Sequence, residues 1–372
     1  MPAHHPLLRR PLAFLTVAAS LLGGCAALPA KPPTPAAAAS APATAASAPA
    51  ATPSAAVAMP PRPAPGSPPA FVEVVKDAKR SDGFLAVWTQ DEKVWLEVPA
   101  ERLDKPFFLG SSYVSGLGER FFLPGLMGRE QVVVLRRVGR SVQLVARNLG
   151  VRAPEGTPLA RAVRESYSDS LLASAPLAAA PHPQRQSLLV DAHQLLGGDL
   201  GGLQTRLEAA FRLPYALDRG NSSIERTRTG DQGTTLTLRS HFAVPKLPSL
   251  PAAARGAPAA NPAAQPNPPR AVPDPRSLFL SVTYTLAPLP AVPMRARAAD
   301  PRVGYWTDSF VDYAAADASV DRRRHVINRW RLEKLDPAAE PSAPKEPIRV
   351  VLDRNIPERW RGAVRAGVLE WN

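Results

Sequence analysis

From Phe71 onward apolar and polar residues alternate in short runs, and that period of two predicts strands. Segments 84–89 and 94–98 are β-rich and are joined by Gln90-Asp-Glu-Lys93, a predicted hairpin. Segments 131–137 and 142–146 predict a second hairpin across Val138-Gly-Arg140. The unbroken run Val132-Val-Val-Leu135 implies burial on both faces. A short strand at 187–190 leads into Asp191, and 222–229 pairs with 234–240 across Gly230-Asp-Gln-Gly233. In 278–286, Leu278, Leu280, Val282, Tyr284 and Leu286 alternate with Phe279, Ser281, Thr283 and Thr285. A helix is predicted over 158–172, with Thr157 as its cap and Pro158 at its first position. The pattern is that of a strand-rich α+β domain over 71–290 with one or two helices and no internal repeat.

Further along, a strand is predicted over 321–333, with Val326, Asn328, Trp330 and Leu332 on one face. A second is predicted over 344–353. Pro357 then opens a helix in which Trp360, Val364, Gly367, Val368 and Trp371 recur at helical spacing.

Composition divides the rest of the chain. Of 372 residues 44 are Pro, and 13 of these lie in 26–70 together with 19 Ala and only two charges, Lys31 and Arg62. Prolines break each alanine run, and nothing there can bury enough apolar surface to offset chain entropy, so 26–70 reads as a disordered linker. Segment 243–276, with ten prolines between two predicted strands, reads as a long loop inserted within the domain. The net charge of +13 is spread along the chain rather than gathered into a patch, and no nucleic-acid-binding motif accompanies it, so nucleic acid is not an expected partner.

The first 25 residues have the form of an export signal. Arg9 and Arg10 precede an apolar run from Leu12 to Leu22 that is shorter than the ~20 residues of a membrane-spanning helix. The run ends in Leu22-Gly-Gly-Cys25, which resembles the bacterial lipobox, and Cys25 is the only cysteine in the chain. The resemblance implies acylation of Cys25 and a membrane partner through that lipid anchor. Ala26, not Asp, follows the cysteine, which points to the outer membrane and the periplasmic side of the bacterial envelope. The same cysteine leaves no disulfide framework and no multi-cysteine zinc cluster.

The separated segments 294–306, 325–335 and 345–372, with 116–147 and 160–170, occur in an order that resembles the large bacterial envelope zinc-dependent metallopeptidases related to the metzincins. The resemblance implies an antiparallel β N-terminal domain over 71–290, a connecting segment at 291–345, and at 346–372 the opening strand and helix of a metzincin-like catalytic domain. It also implies zinc and a peptide or protein substrate for the full-length protein. That chemistry rests on H-E-x-x-H-x-x-G-x-x-H, in which two His one helical turn apart and a third hold Zn²⁺ while the Glu acts as base. The six histidines here are His4, His5, His182, His193, His241 and His325, and no pair has that spacing. No catalytic residue, metal ligand or cofactor is therefore expected within this chain, which is expected to be the front of a longer protein. The alternative is a non-catalytic envelope lipoprotein that binds a partner or covers one as a prodomain does.

Other chemistry is weaker in the sequence. Glu165 and Asp169 lie four apart on the predicted helix, the spacing of an acid/base pair but more commonly that of a solvated face. Asp300, Asp308, Asp312, Asp317 and Asp321 cluster within 22 residues without the spacing of a calcium loop. No G-x-S-x-G elbow is present. The lipobox reading has a direct test: Cys25→Ser is expected to move the protein from the membrane to the soluble fraction on cell fractionation, and continued membrane retention contradicts the anchor.

Overall fold

The computed structural model describes residues 68–248, 265–314 and 321–370. The predicted signal segment and Cys25, most of the 26–70 linker, the centre of the 243–276 loop, Asp317 and Trp371 lie outside the described residues. The fold is α+β and strand-dominated, and its sheets are antiparallel apart from one short parallel pairing.

In chain order the elements are α1 (Phe71–Val74), β1 (Lys79–Ser81), β2 (Ala86–Gln90), β3 (Lys93–Val98), β4 (Phe107–Tyr113), β5 (Met127–Val138), β6 (Ser141–Ala146) and β7 (Val151–Arg152). Then come α2 (Pro158–Ser166), β8 (Ser170–Pro176), β9 (Leu188–Asp191), α3 (Ala192–Leu196), α4 (Leu203–Phe211), β10 (Ala216–Gly230), β11 (Gly233–Ala243) and β12 (Ser277–Pro288). The last are β13 (Thr307–Asp312), β14 (Arg323–Ile327) and α5 (Glu358–Leu369).

Three sheets result. A seven-stranded sheet has the order β10-β11-β12-β4-β5-β6-β8, a four-stranded sheet β1-β2-β3-β9, and a small one β14-β13-β7. Each predicted hairpin forms with its expected turn: Gln90 pairs with Lys93, Val138 with Ser141, and Gly230 with Gly233. Gly139 adopts φ +57°, the left-handed backbone that a two-residue hairpin turn requires.

The two larger sheets share one core. Leu96, Val98, Leu188 and Val190 face it from the four-stranded sheet, and Val133, Leu135, Leu144, Leu236, Leu238, Leu280 and Val282 from the seven-stranded one. Leu195, Leu196, Leu207 and Phe211 of α3 and α4 fill it further, with Phe211 stacked on Phe122 at 5.9 Å. Of the run Val132–Leu135, Val133, Val134 and Leu135 are fully buried, as the sequence implied, while Val132 is half-buried. In β12, Leu278, Leu280, Val282, Tyr284 and Leu286 are the buried apolar set, and Ser281 of the alternate register is buried as well. The outer face of the four-stranded sheet has a smaller cluster, Trp95 and Leu189 beneath Phe71 and Val75.

The sheets are tied at both ends. At one, Leu177 bridges to Val190, and Ala178 N donates to Leu189 O at 2.8 Å. At the other, the tip of the β10–β11 hairpin grips the chain entering β2. Phe84 N donates to Gly230 O at 2.9 Å and Leu85 N to Thr234 Oγ1 at 3.0 Å, while Thr229 and Thr234 hydroxyls each lie 2.9 Å from Leu85 O. A buried backbone entering a core needs such partners. Without a side chain at Gly83 the two backbones can meet: a Cβ there would lie 2.1 Å from Thr229 Oγ1 and 2.4 Å from Gly230 N.

Four expectations are corrected. Helix α2 ends at Ser166 rather than 172, because 170–176 joins the seven-stranded sheet as β8 against β6. The described residues of 71–290 form four short α-helices rather than one or two; α3 and α4 are too brief for a clear helical period, yet they bury Leu195, Leu196, Leu203, Leu207 and Phe211. The strand predicted over 321–333 is confined to β14, and the residue it buries is Ile327, on the face opposite Val326. Segment 344–353 is not assigned as a strand: among the described residues it has no strand beside it beyond a bridge between Lys334 and Pro344.

The clasp predicts that Gly83→Ala loses about 1–3 kcal/mol in denaturant unfolding. Gly198→Ala, whose Cβ would meet nothing within 4 Å, is expected to stay within about 0.5 kcal/mol of the parent.

Candidate functional site

The chemistry-bearing residues singled out from sequence are not brought together. Glu165 and Asp169 do not share a helix: Asp169 follows the end of α2, where it accepts from Asn148 N at 2.8 Å and pairs with Arg147 at 3.1 Å. Asp300 is held by Arg302, Asp312 lies 3.9 Å from Arg324, and Asp321 accepts from Arg323 N, so each has its own neighbours. His182 Nδ1 accepts from the Gln184 and Arg185 amides, His193 sits in α3, and His325 pairs across β13–β14 with Ser309. Among the described residues no three His, Cys, Asp or Glu side chains stand together to hold a metal.

Three constellations do form, none of them visible as a linear motif. The first surrounds Glu97 of β3, which is 2% exposed and lies on the outer face of the four-stranded sheet. Its carboxylate accepts from Ser187 Oγ at 2.6 Å, Arg185 Nε at 2.8 Å, Trp88 Nε1 at 2.9 Å and Arg80 Nε at 3.2 Å. Burial alone would push its pKa up. The four donors, Ser187 foremost, outweigh burial and hold it at about 2, down from an ordinary 4.5. A carboxylate so fully satisfied is suited to holding β2, β3 and the 182–187 loop together, not to moving protons.

The second is a cleft of about 580 Å³ between the β6–β7 connection and α2. Arg136, Arg147, Arg152 and Arg164 reach it, with Tyr167 and Asp169. Thr157 caps α2 by accepting from Ala160 N at 3.1 Å, and the chain after the helix returns Asp169 to Arg147. Three of the arginines are matched by carboxylates: Arg136 by Asp104, Arg147 by Asp169, Arg164 by Glu155. Arg152 instead lies over the Phe310 ring at 4.0 Å and donates through Nε to Leu149 O. The Tyr167 hydroxyl stands 3.2 Å from that of Tyr313, a contact that raises the Tyr167 phenol. The surplus of guanidinium over carboxylate makes the cleft suited to an anion.

The third brings His241 between Asp218 and Ser277, with His241 Nδ1 2.9 Å from Asp218 Oδ2 and Nε2 2.8 Å from Ser277 Oγ. These residues are 23 and 36 positions apart in sequence. The signal that could have found them is the strand register: His241 lies opposite Asp218 on β10, and Ser277 is its diagonal neighbour on β12.

Taken with the fold, the chain is a strand-rich α+β module with an arginine-lined cleft and, among its described residues, no grouped metal-ligand set. It belongs to the family described as domain of unknown function DUF5117, whose model matches residues 125–335, from the loop before β5 through β14. The cleft and the Asp218–His241–Ser277 group fall within the matched span, and Glu97 falls outside it. No curated protein and no solved structure matches the chain. No helix among the described residues is long and apolar enough to cross a membrane.

The Glu97 network has a pH signature. The folded carboxylate titrates below its unfolded counterpart, so its stabilisation is complete above about 4.5 and is lost as pH falls toward 2. Urea unfolding is expected to lose up to about 3 kcal/mol through this one group between pH 5 and pH 2. Glu97→Gln is expected to lose about 3 kcal/mol at pH 7 and to flatten that dependence.

Proposed function

We propose that this chain is the N-terminal, non-catalytic part of an exported, lipid-anchored zinc-dependent metallopeptidase of the bacterial envelope. In this reading Cys25 supplies the anchor and the 26–70 linker stands the β-rich body off the outer membrane. Residues 346–372 open the catalytic domain. The zinc and its ligands, and the peptide or protein substrate, belong to the full-length protein.

The observation that carries the reading is the state of residues 346–370. Ile348, Val350 and Leu352 share a groove of about 340 Å³ with Val368 and Leu369 of α5. The tract therefore lies against the helix as a strand lies against the helix that follows it. Yet among the described residues no backbone group of 346–352 has a backbone partner. Val351, on the other side of the tract, is 90% exposed, and Trp360 of α5 is more than half exposed. Backbone groups and apolar side chains left this open normally find cover in a sheet and a core. A strand–helix pair lacking the rest of its sheet matches the place at which the resembling peptidases begin their catalytic domain.

The alternative, a binding or prodomain-like lipoprotein, would leave the same surface for a separate partner. The two readings part at the DNA beyond codon 372. The peptidase reading expects an H-E-x-x-H-x-x-G-x-x-H within the reading frame or one frameshift of it, and unrelated sequence there counts against it. Purified residues 26–372 are expected to bind no stoichiometric zinc and to leave casein intact; EDTA-sensitive cleavage by this chain alone would overturn the assignment of catalysis to the missing part.

A further inference from the structure

The group formed by Asp218, His241 and Ser277 is built in a way that its neighbours explain only in part. β10 bulges between Asp218 and Ser223, and the chain in the bulge folds back on Asp218. Its carboxylate accepts from Gly220 N at 3.1 Å, Asn221 N at 3.3 Å, Asn221 Nδ2 at 2.7 Å and His241 Nδ1 at 2.9 Å. Those donors, the Asn221 and His241 side chains first among them, lower its pKa and keep it ionised.

An ionised carboxylate can only accept, so the proton of His241 sits on Nδ1. Nε2 then presents a lone pair, and Ser277 Oγ, 2.8 Å away, donates its proton to it. The imidazole is held further by the Phe279 ring at 4.8 Å and by its backbone N donating to Ser222 Oγ at 2.9 Å. The ring is 12% exposed, while Ser277 faces solvent. An oriented carboxylate, a fixed imidazole tautomer and an exposed hydroxyl on the free nitrogen are the parts of an activated serine.

We propose that Ser277 is a nucleophilic serine, with His241 as its base and Asp218 as the residue that positions that base, and that it takes the acyl group of small activated esters. Ser277 Oγ bonds to the ester carbonyl carbon as its proton passes to His241 Nε2. The bond to the leaving oxygen breaks, and that oxygen takes the proton from Nε2 and departs as an alcohol. Water, deprotonated by Nε2, then attacks the acyl carbon; the bond from Ser277 Oγ to that carbon breaks, Oγ takes the proton back from Nε2, and the acid departs. Ester and water give acid and alcohol, and no oxidant or cofactor enters.

The backbone beside the nucleophile narrows the substrate. Arg276 N already donates to Asp274 Oδ1 at 2.9 Å and Ser277 N to Asp274 O at 3.1 Å. Neither amide is free to meet a developing oxyanion, a role whose loss costs about 10²–10³ in rate per donor. Esters with good leaving groups can react without that help. Peptide bonds cannot, so this activity is independent of the peptidase proposed above.

The test is labelling of the full chain by a fluorophosphonate probe in EDTA, with the adduct mapped by mass spectrometry, alongside hydrolysis of p-nitrophenyl acetate. The expected result is one adduct, on Ser277, absent in Ser277→Ala, whose exposed side chain can be changed without loss of fold. His241→Gln is expected to slow labelling about a hundredfold. Asp218→Asn is expected to slow it and to move the His241 proton to Nε2, visible in the ¹⁵N shifts of the ring; a merely structural carboxylate would leave the tautomer alone. No adduct on Ser277 in the parent chain, or equal labelling of a folded His241→Gln variant, overturns the proposal.

Discussion

The clasp at Gly83–Leu85 is the constraint on which the rest of the body depends. An antiparallel sheet of seven strands has two open edges and an apolar face, and neither can be left to water. Here the four-stranded sheet covers much of the face and is joined to the large sheet at both ends. One joint is backbone pairing of 177–178 with 189–190; the other is the pair of threonines at the β10–β11 tip that satisfy both the amide and the carbonyl of Leu85. Only then do Leu96, Val98 and Val190 face Leu144, Leu238 and Leu280 across a single core. Glu97 reinforces the same sheet from outside, tying β3 to β2 and to the loop before β9.

The hairpins were legible because their information is local: two alternating runs and a turn with Gly or Asp determine the pairing without help from elsewhere. β8 was not, because 170–176 reads equally well as the end of a helix, and its fate was decided by β6, whose open edge needed a strand. For the same reason 344–353 has strand-like composition and no strand: a strand is a property of a pair, and among the described residues it has no partner strand beyond the bridge of Pro344 to Lys334. The candidate sites were less visible still. Glu97 collects donors at positions 80, 88, 185 and 187, and Asp218, His241 and Ser277 come from three strands. Such sets are created by register, which a single sequence states only weakly.

A closed body and an open C-terminal stretch thus sit in one chain. Between them β7 pairs with β13, beside the arginine-lined cleft, so the segment that leads toward 346–370 is anchored there. The apolar surface is distributed accordingly. In the body the core strands turn it inward, with Phe121 and Met127 left exposed before and at the start of β5, and beyond the body Trp306, Trp330, Leu335, Val351 and Trp360 face outward.

Hydrogen–deuterium exchange on the full chain tests that division most directly, since it reports backbone pairing amide by amide. The account predicts strong, cooperative protection across β5, β11 and β12 and exchange near the unfolded rate across 346–352. Protection of 346–352 as strong as that of β12 would contradict it, because the tract would then already be paired in a sheet.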